Sequence, residues 1–163
     1  MFTNINHMMK SELIKGIFLV AVVLLTTAHQ GVCQEYAYKE GEVAVGGYDI
    51  TTYFDNNLLK GNKSIQTAYE GVIYYFVNQA NLDKFKSNPQ KYIPAYGGWC
   101  AMALCQNKLV EPNPKLYSII DDKLHLFEVK VFYNGKAEWF KDPEDNKNKA
   151  DSKYQEIVNK EKN

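Results

Sequence analysis

The residues best suited to chemistry in this chain are two cysteines, Cys100 and Cys105, with His125 and Asp49. Cys100 follows Gly97-Gly98-Trp99, and adjacent glycines let a backbone turn sharply or approach another group closely. The pattern predicts Cys100 in the first turn of a helix, where unpaired N–H groups and the helix dipole favour a thiolate. A thiolate is both a metal ligand and a nucleophile, so Cys100, with a predicted lowered pKa, is the strongest candidate. The alternative is a small buried side chain.

The other three residues carry weaker signals. On one continuous helix, residues five apart are separated by roughly 140° around the axis, which separates Cys105 from Cys100. Core packing is therefore favoured for Cys105, with a disulfide to Cys100 or a second metal ligand as alternatives. His125 alternates with two leucines on a predicted strand and is either packed, solvated, or a ligand or base. Asp49 precedes a helical turn, where a carboxylate is a good N-cap; it could bind metal beside Cys100 only if the ends of the domain meet.

The N-terminal region has the pattern of an export signal. Two lysines precede an apolar run at residues 16–28, which is shorter than the ~20 apolar residues of a spanning helix. Small residues at 31–33 predict cleavage before Gln34, so segment 1–33 is interpreted as a signal peptide and the protein as periplasmic or secreted. The alternatives are a membrane anchor formed by the uncleaved signal and lipid modification of Cys33.

Cleavage would leave a flexible leader at 34–43 and one domain at 44–160, with His125, Cys100 and Cys105 as its whole complement of histidine and cysteine. A four-cysteine zinc cluster or a two-cysteine, two-histidine finger cannot be built from that complement in one chain. The formal net charge is +0 and the chain has no arginine, so nucleic acid is excluded as a partner. No nucleophile motif surrounds a cysteine, and a non-enzymatic role is favoured.

Turn residues and β-branched or aromatic runs predict two β-hairpins, at 66–77 and 116–127. The strand at 72–77 is apolar on both faces and is predicted to be central or sandwiched. Short helices are predicted between the hairpins, another helical stretch at 131–141, and an amphipathic C-terminal helix. No internal repeat is visible. Because strands and helices do not alternate, the predicted fold is a small single α+β domain of two β-hairpins interleaved with short helices.

Three segments resemble a known family when they are taken in order: Gly47-Tyr48-Asp49-Ile50-Thr51-Thr52-Tyr53-Phe54, Asn88-Pro89-Gln90-Lys91-Tyr92-Ile93-Pro94 and Tyr96-Gly97-Gly98-Trp99-Cys100-Ala101. They resemble the stand-alone, exported YHS-domain family, and the resemblance runs from about Val45 to the C-terminal helix. It implies kinship with cysteine-bearing metal-binding modules, including those appended to heavy-metal transport ATPases. Those modules tend to have more cysteines than this domain, and the family has an apolar residue at position 105 and an aromatic one at position 125.

Three functional hypotheses follow. The first is an exported, non-enzymatic metal-binding or metal-handling module centred on Cys100, with Cys105, His125 and Asp49 as further candidate ligands. A soft ion such as copper suits a thiolate, and metal-transport or redox partners are expected. The second is a thiol redox protein using Cys100 with or without Cys105. The third is a module that binds a small ligand or a partner protein while Cys100 packs in the core. Membrane association is expected only if the N-terminal segment is retained.

Overall fold

The computed structural model describes residues 42–160, so the predicted signal peptide and most of the leader lie outside the described residues. The described elements are a first glycine turn (Ala44–Gly47), a 3₁₀ helix (Ile50–Asp55), β1 (Asn62–Tyr69), β2 (Val72–Phe76), α1 (Gln79–Ser87), α2 (Pro89–Tyr92), a second glycine turn (Ala95–Gly98), α3 (Ala101–Cys105), β3 (Asn113–Ile120), β4 (Lys123–Phe127), β5 (Val129–Lys130), β6 (Tyr133–Asn134), α4 (Gly135–Trp139) and α5 (Pro143–Lys160). They confirm the predicted small α+β domain. Within residues 42–160, no helix combines the length and apolarity needed to cross a bilayer.

The N-terminal hairpin pairs β1 with β2 in antiparallel fashion and turns at Glu70-Gly71, where both residues have positive φ. The prediction of a central or sandwiched strand at 72–77 was wrong, because β2 belongs to a two-stranded sheet and fully buries only alternate side chains. Its other edge forms an isolated parallel bridge between Ile73 and Val43. The run is apolar because one face packs on α1, where the Phe85 ring lies against aromatic side chains of β2.

The C-terminal hairpin pairs β3 with β4 and turns at Asp121-Asp122, as the sequence predicts. The predicted helix at 131–141 was wrong in its first part, because residues 129–134 form the short β5–β6 ribbon and α4 begins at Gly135. Asn134 caps that helix by accepting the backbone N–H of Ala137. Phe132 lies at the tip of the ribbon and is 100% exposed, so its helical spacing does not mark a buried face.

Strand β4 lies between two hydrophobic clusters. Leu124 and Leu126 belong to the N-terminal cluster, which also holds Tyr53 and Phe76. The C-terminal cluster is built on α3, α4 and α5 and includes the following residues: Tyr96, Ala101, Leu104, Phe127, Trp139, Ala150, Tyr154 and Val158. The predicted amphipathic C-terminal helix is confirmed, because α5 buries one stripe of side chains in this second cluster.

The structure also contradicts the expectation that the chain has no internal repeat. The two hairpins share one antiparallel register, with the same irregularity between Asn62 and Gln66 and between Asn113 and Tyr117. Each hairpin follows a glycine turn, and the two turns start 51 residues apart in the sequence.

Gly97 and Gly98 have φ values of 60° and 90°, in the left-handed region that glycine adopts at no steric cost. We expect Gly97→Ala and Gly98→Ala each to lower the free energy of unfolding by about 1 kcal/mol or more. Urea unfolding followed by tryptophan fluorescence measures the change. Lys86→Ala, on the exposed face of α1, is the control and should be near neutral. Neutral effects of both glycine substitutions would contradict the prediction.

Candidate functional site

The second glycine turn delivers Cys100 to the start of a helix. Cys100 is the N-cap of α3, one position before the predicted first turn, with an extended backbone at φ −59° and ψ 116°. Its backbone N–H donates to the carbonyl of Val110 at 2.9 Å, and it forms an isolated parallel bridge with Leu126. These backbone contacts fix the thiol against the end of β4.

The Cys100 thiol is completely buried and is surrounded by backbone N–H groups. Its Sγ accepts the N–H of Glu128 at 3.2 Å and the N–H of Ala103 at 3.4 Å. Burial raises the pKa of Cys100, although these N–H donors lower it in part. The predicted lowered pKa was therefore wrong, because the loss of water around the thiolate outweighs the helix-start geometry.

Sequence reasoning missed two residues beside Cys100. Glu128 is buried, and its carboxylate pairs with the exposed ammonium of Lys130 at 2.6 Å. The pKa of the Tyr133 phenol is raised, mainly by burial and to a smaller extent by the nearby Cys100 and Glu128. A charged residue directly after the apolar run of β4 could have marked Glu128, whereas nothing in the sequence singles out Tyr133.

Cys105 lies at the other end of α3 and packs against the C-terminal cluster, as predicted, but it is only half-buried. Its Sγ donates to the carbonyl of Asn146 at 3.1 Å and more weakly to that of Ala101 at 3.5 Å. It borders a cleft of about 430 Å³ whose rim carries Lys149 and Lys153. Burial raises the pKa of Cys105 to about 11. Both Cys105 and Cys100 are free thiols, so the disulfide alternative between them was wrong.

His125 is buried between two aromatic rings on the face of β4 opposite its flanking leucines. Its ring lies 5.4 Å from that of Tyr96 and 5.8 Å from that of Trp139. Its Nδ1 lies 3.0 Å from the carbonyl of Lys123 and, because a carbonyl only accepts, donates to it. Burial lowers the pKa of His125 and favours the neutral ring. Of the alternatives for His125, packing in the interior is the one that matches its position in the structure.

Asp49 has the predicted capping role and more. Its buried carboxylate accepts the N–H of Thr51 at 3.0 Å, the hydroxyl of Thr51 at 2.8 Å, the N–H of Val77 at 2.8 Å and the side-chain amide of Asn81 at 2.7 Å. These donors join the 3₁₀ helix, the end of β2 and α1. The carboxylate is thus engaged within the N-terminal half rather than beside Cys100.

The four residues singled out from the sequence do not converge on one point. Among residues 42–160, no group of three histidine, cysteine, aspartate or glutamate side chains is placed to hold a metal ion. Cys100 and Glu128 are the chemically useful pair, because a backbone hydrogen bond joins them and the Glu128 carboxylate is near enough to raise the pKa of the thiol. Any metal bound there would have few protein ligands.

Comparison with known proteins gives one match. Residues 51–96 match the family model described as the YHS domain, and the match confirms a YHS domain in this chain. YHS domains form a family associated with metal handling. The matched span ends before Cys100 and begins after Asp49, so it assigns no role to the four candidate residues. No curated protein and no solved structure matches the chain.

Asp49→Ala should lower the free energy of unfolding by about 3 kcal/mol, because it leaves the buried N–H of Thr51 and half-buried donors on Val77 and Asn81 without their acceptor. Chemical unfolding followed by circular dichroism measures the loss. Asp55→Ala is the control, since Asp55 is exposed and pairs with Lys84 across 3.7 Å; it should cost well under ~1 kcal/mol. Equal effects of the two substitutions would refute the structural role of Asp49.

A thiol reagent should modify Cys105 before Cys100, the reverse of the order favoured by the sequence, because Cys105 is half-exposed and Cys100 is buried. The raised pKa leaves little Cys105 thiolate at neutral pH, so the rate should rise about tenfold per pH unit until it levels near pH 11. Stopped-flow measurement on Cys100→Ser and Cys105→Ser variants assigns each phase. A fast phase that survives Cys105→Ser would contradict the assignment.

Proposed function

We propose that this YHS domain-containing protein is an exported, non-enzymatic metal-handling module in which Cys100 supplies the thiolate for a soft cation such as copper(I). The observation that carries the proposal is the pair of backbone N–H groups, from Glu128 and Ala103, that point at the Cys100 sulfur. Hydrogen bonds to a charged acceptor are stronger than those to a neutral one, so this pair favours the deprotonated sulfur.

The buried environment explains how Cys100 would act. Without a bound cation, burial raises the pKa of Cys100 and keeps the proton on sulfur. A metal-ligating cysteine must be deprotonated, so binding would release that proton and place a positive charge where burial otherwise opposes the thiolate. A free thiol at Cys100 and a metal-bound thiolate are therefore both consistent with the same surroundings.

The available donors fit a cation of low ligand number. Cys100 is the soft ligand, and the Glu128 carboxylate beside it supplies negative charge and a second donor once it separates from Lys130. A closed four-ligand zinc site does not fit, because no third acidic, histidine or cysteine side chain joins the pair among residues 42–160. Thiolate ligands favour soft ions, and copper(I) is one that accepts a low ligand number.

The redox hypothesis has less support. Burial raises the pKa of both Cys100 and Cys105, whereas redox-active thiols need a lowered pKa and access. The two sulfurs also engage different partners, with Cys105 donating to Asn146 and Cys100 accepting from Glu128.

Partner binding remains a second candidate function, favoured by one specific observation. Val131 is 88% exposed and Phe132 is 100% exposed at the tip of the β5–β6 ribbon, which begins next to Glu128. An exposed aliphatic and aromatic pair on a ribbon is a plausible contact point for a protein that delivers or receives the metal. Metal-transport or redox proteins of the exported compartment are the partners we propose.

Copper(I) titration against a chromophoric chelator tests the metal proposal. We expect the protein lacking segment 1–33 to bind one equivalent, Cys105→Ser to bind equally well and Cys100→Ser to lose binding. Cys105 is the matched control, because it is the more exposed thiol and would dominate adventitious binding. Loss of binding on Cys105→Ser, or no binding by the unsubstituted protein, would refute the proposed site.

A further inference from the structure

The two glycine turns have the same backbone conformation. In the first turn, Val45 has φ 45° and ψ 35°, and Gly46 has φ 60° and ψ 25°. In the second turn, Tyr96 has φ 57° and ψ 35°, and Gly97 has φ 60° and ψ 15°. Positive φ is rare for a residue with a side chain, and above all for the β-branched valine, so its recurrence 51 residues later is informative.

The hydrogen bonds that follow each turn also recur at this spacing. After the first turn, backbone N–H groups donate to carbonyls as follows: Tyr48 to Val45, Asp49 to Leu59, Thr52 to Asp49, and Asn57 to Thr52. After the second turn, the bonds at the equivalent positions are, in the same order, Trp99 to Tyr96, Cys100 to Val110, Ala103 to Cys100, and Lys108 to Ala103. At the start of each hairpin an asparagine side chain accepts an N–H two residues later, at 2.9 Å in both cases.

The hairpins repeat each other pair by pair. Asn62 faces Phe76 as Asn113 faces Phe127, and the remaining pairs of β1–β2 recur in β3–β4 at the same spacing. Sequence comparison gives little sign of this, because only a few positions are identical in the two segments. The identical pairs are Ala44 and Ala95, Gly46 and Gly97, Gly47 and Gly98, Asn56 and Asn107, Leu58 and Leu109, Asn62 and Asn113, and Phe76 and Phe127.

We infer that residues 43–77 (unit A) and 94–128 (unit B) are two copies of one structural unit, and that Cys100 occupies in unit B the position of Asp49 in unit A. In each unit, that side chain accepts an N–H from the first helical turn and one from the end of the second strand. The strand donors, Val77 and Glu128, are themselves equivalent residues. Cys100 is thus a positioning residue that joins α3 to β4.

The two units differ in the side chains that surround this acceptor. In unit A, Asp49 also accepts the Thr51 hydroxyl and the Asn81 amide. The position equivalent to Thr51 is Met102, which has no donor in its side chain. A thiol accepts weakly and is satisfied by backbone N–H groups, whereas a buried carboxylate needs the further donors.

The helix caps identify the residue of the C-terminal half that corresponds to Asn81. Asn78 accepts the Asn81 N–H at 2.9 Å and Asn134 accepts the Ala137 N–H at 3.0 Å, so the exposed Ala137 holds, relative to its helix cap, the position that Asn81 holds after unit A. Asn78 directly follows unit A, whereas five residues of the β5–β6 ribbon, 129–133, separate unit B from Asn134. The C-terminal half thus has a thiol acceptor and neither of the two side-chain donors that accompany the carboxylate of Asp49.

Restoration of the unit A side chains in unit B tests the equivalence. Cys100→Asp should lower the melting temperature strongly, and the triple variant Cys100→Asp, Met102→Thr, Ala137→Asn should regain at least half of that loss. The double variant Met102→Thr, Ala137→Asn measures the cost of the donors alone. Cys105→Asp, on the same helix, is the matched control, and the two donors should not rescue it. If the melting-temperature change of the triple variant equals the sum of the changes in Cys100→Asp and in the double variant, the inference is overturned.

The reciprocal exchange in unit A keeps the test decisive if the triple variant fails to fold. Asp49→Cys should be destabilising, because it leaves the Thr51 hydroxyl and the Asn81 amide without an acceptor, and adding Thr51→Met and Asn81→Ala should recover part of the lost melting temperature. No recovery in either unit would refute the equivalence. These stability measurements do not depend on copper binding, so they can fail or succeed separately from the proposed metal function.

Discussion

The whole domain depends on one local arrangement, a glycine turn that ends in a side-chain acceptor. The turn requires left-handed backbone, and it delivers Asp49 or Cys100 to the point where a helix begins and a strand ends. A helix start has N–H groups without intrahelical partners, and the end of a strand adds another. A single buried acceptor satisfies both, which fixes the helix against its hairpin without a long connecting loop.

Desolvation decides the chemistry at Cys100. The N–H groups at the start of α3 do favour a thiolate, as the sequence suggests, but water is excluded from the sulfur and the Glu128 carboxylate adds repulsion. Both effects oppose an isolated negative charge, and both would be relieved by a cation. This balance argues against a reactive nucleophile, because a nucleophile needs its negative charge before its partner arrives.

Local signals in the sequence predicted the α+β class, both hairpins, the short helices between them and the C-terminal helix, since each depends on a few neighbouring residues. The β5–β6 ribbon was missed because aromatic spacing alone does not show which side chains become buried. The repeat was missed because it is conserved in backbone conformation and hydrogen bonding rather than in residue identity. The burial of Cys100 depends on long-range packing against β4, which no spacing rule supplies.

The two roles inferred for Cys100 constrain each other. As an acceptor it holds the end of β4 through the Glu128 N–H, and as a ligand it would use the same sulfur with the Glu128 carboxylate nearby. Sulfur has more than one lone pair, and N–H donors commonly remain on metal-bound thiolates, where they tune the metal. A bound cation would therefore add to the unit B acceptor rather than replace it. Asp49 has no such spare capacity for metal, because four donors already occupy its carboxylate. Of the two equivalent positions, Asp49 in unit A therefore has its carboxylate occupied by four hydrogen bonds. Cys100 in unit B accepts two through its sulfur and has a lone pair left that a cation would use.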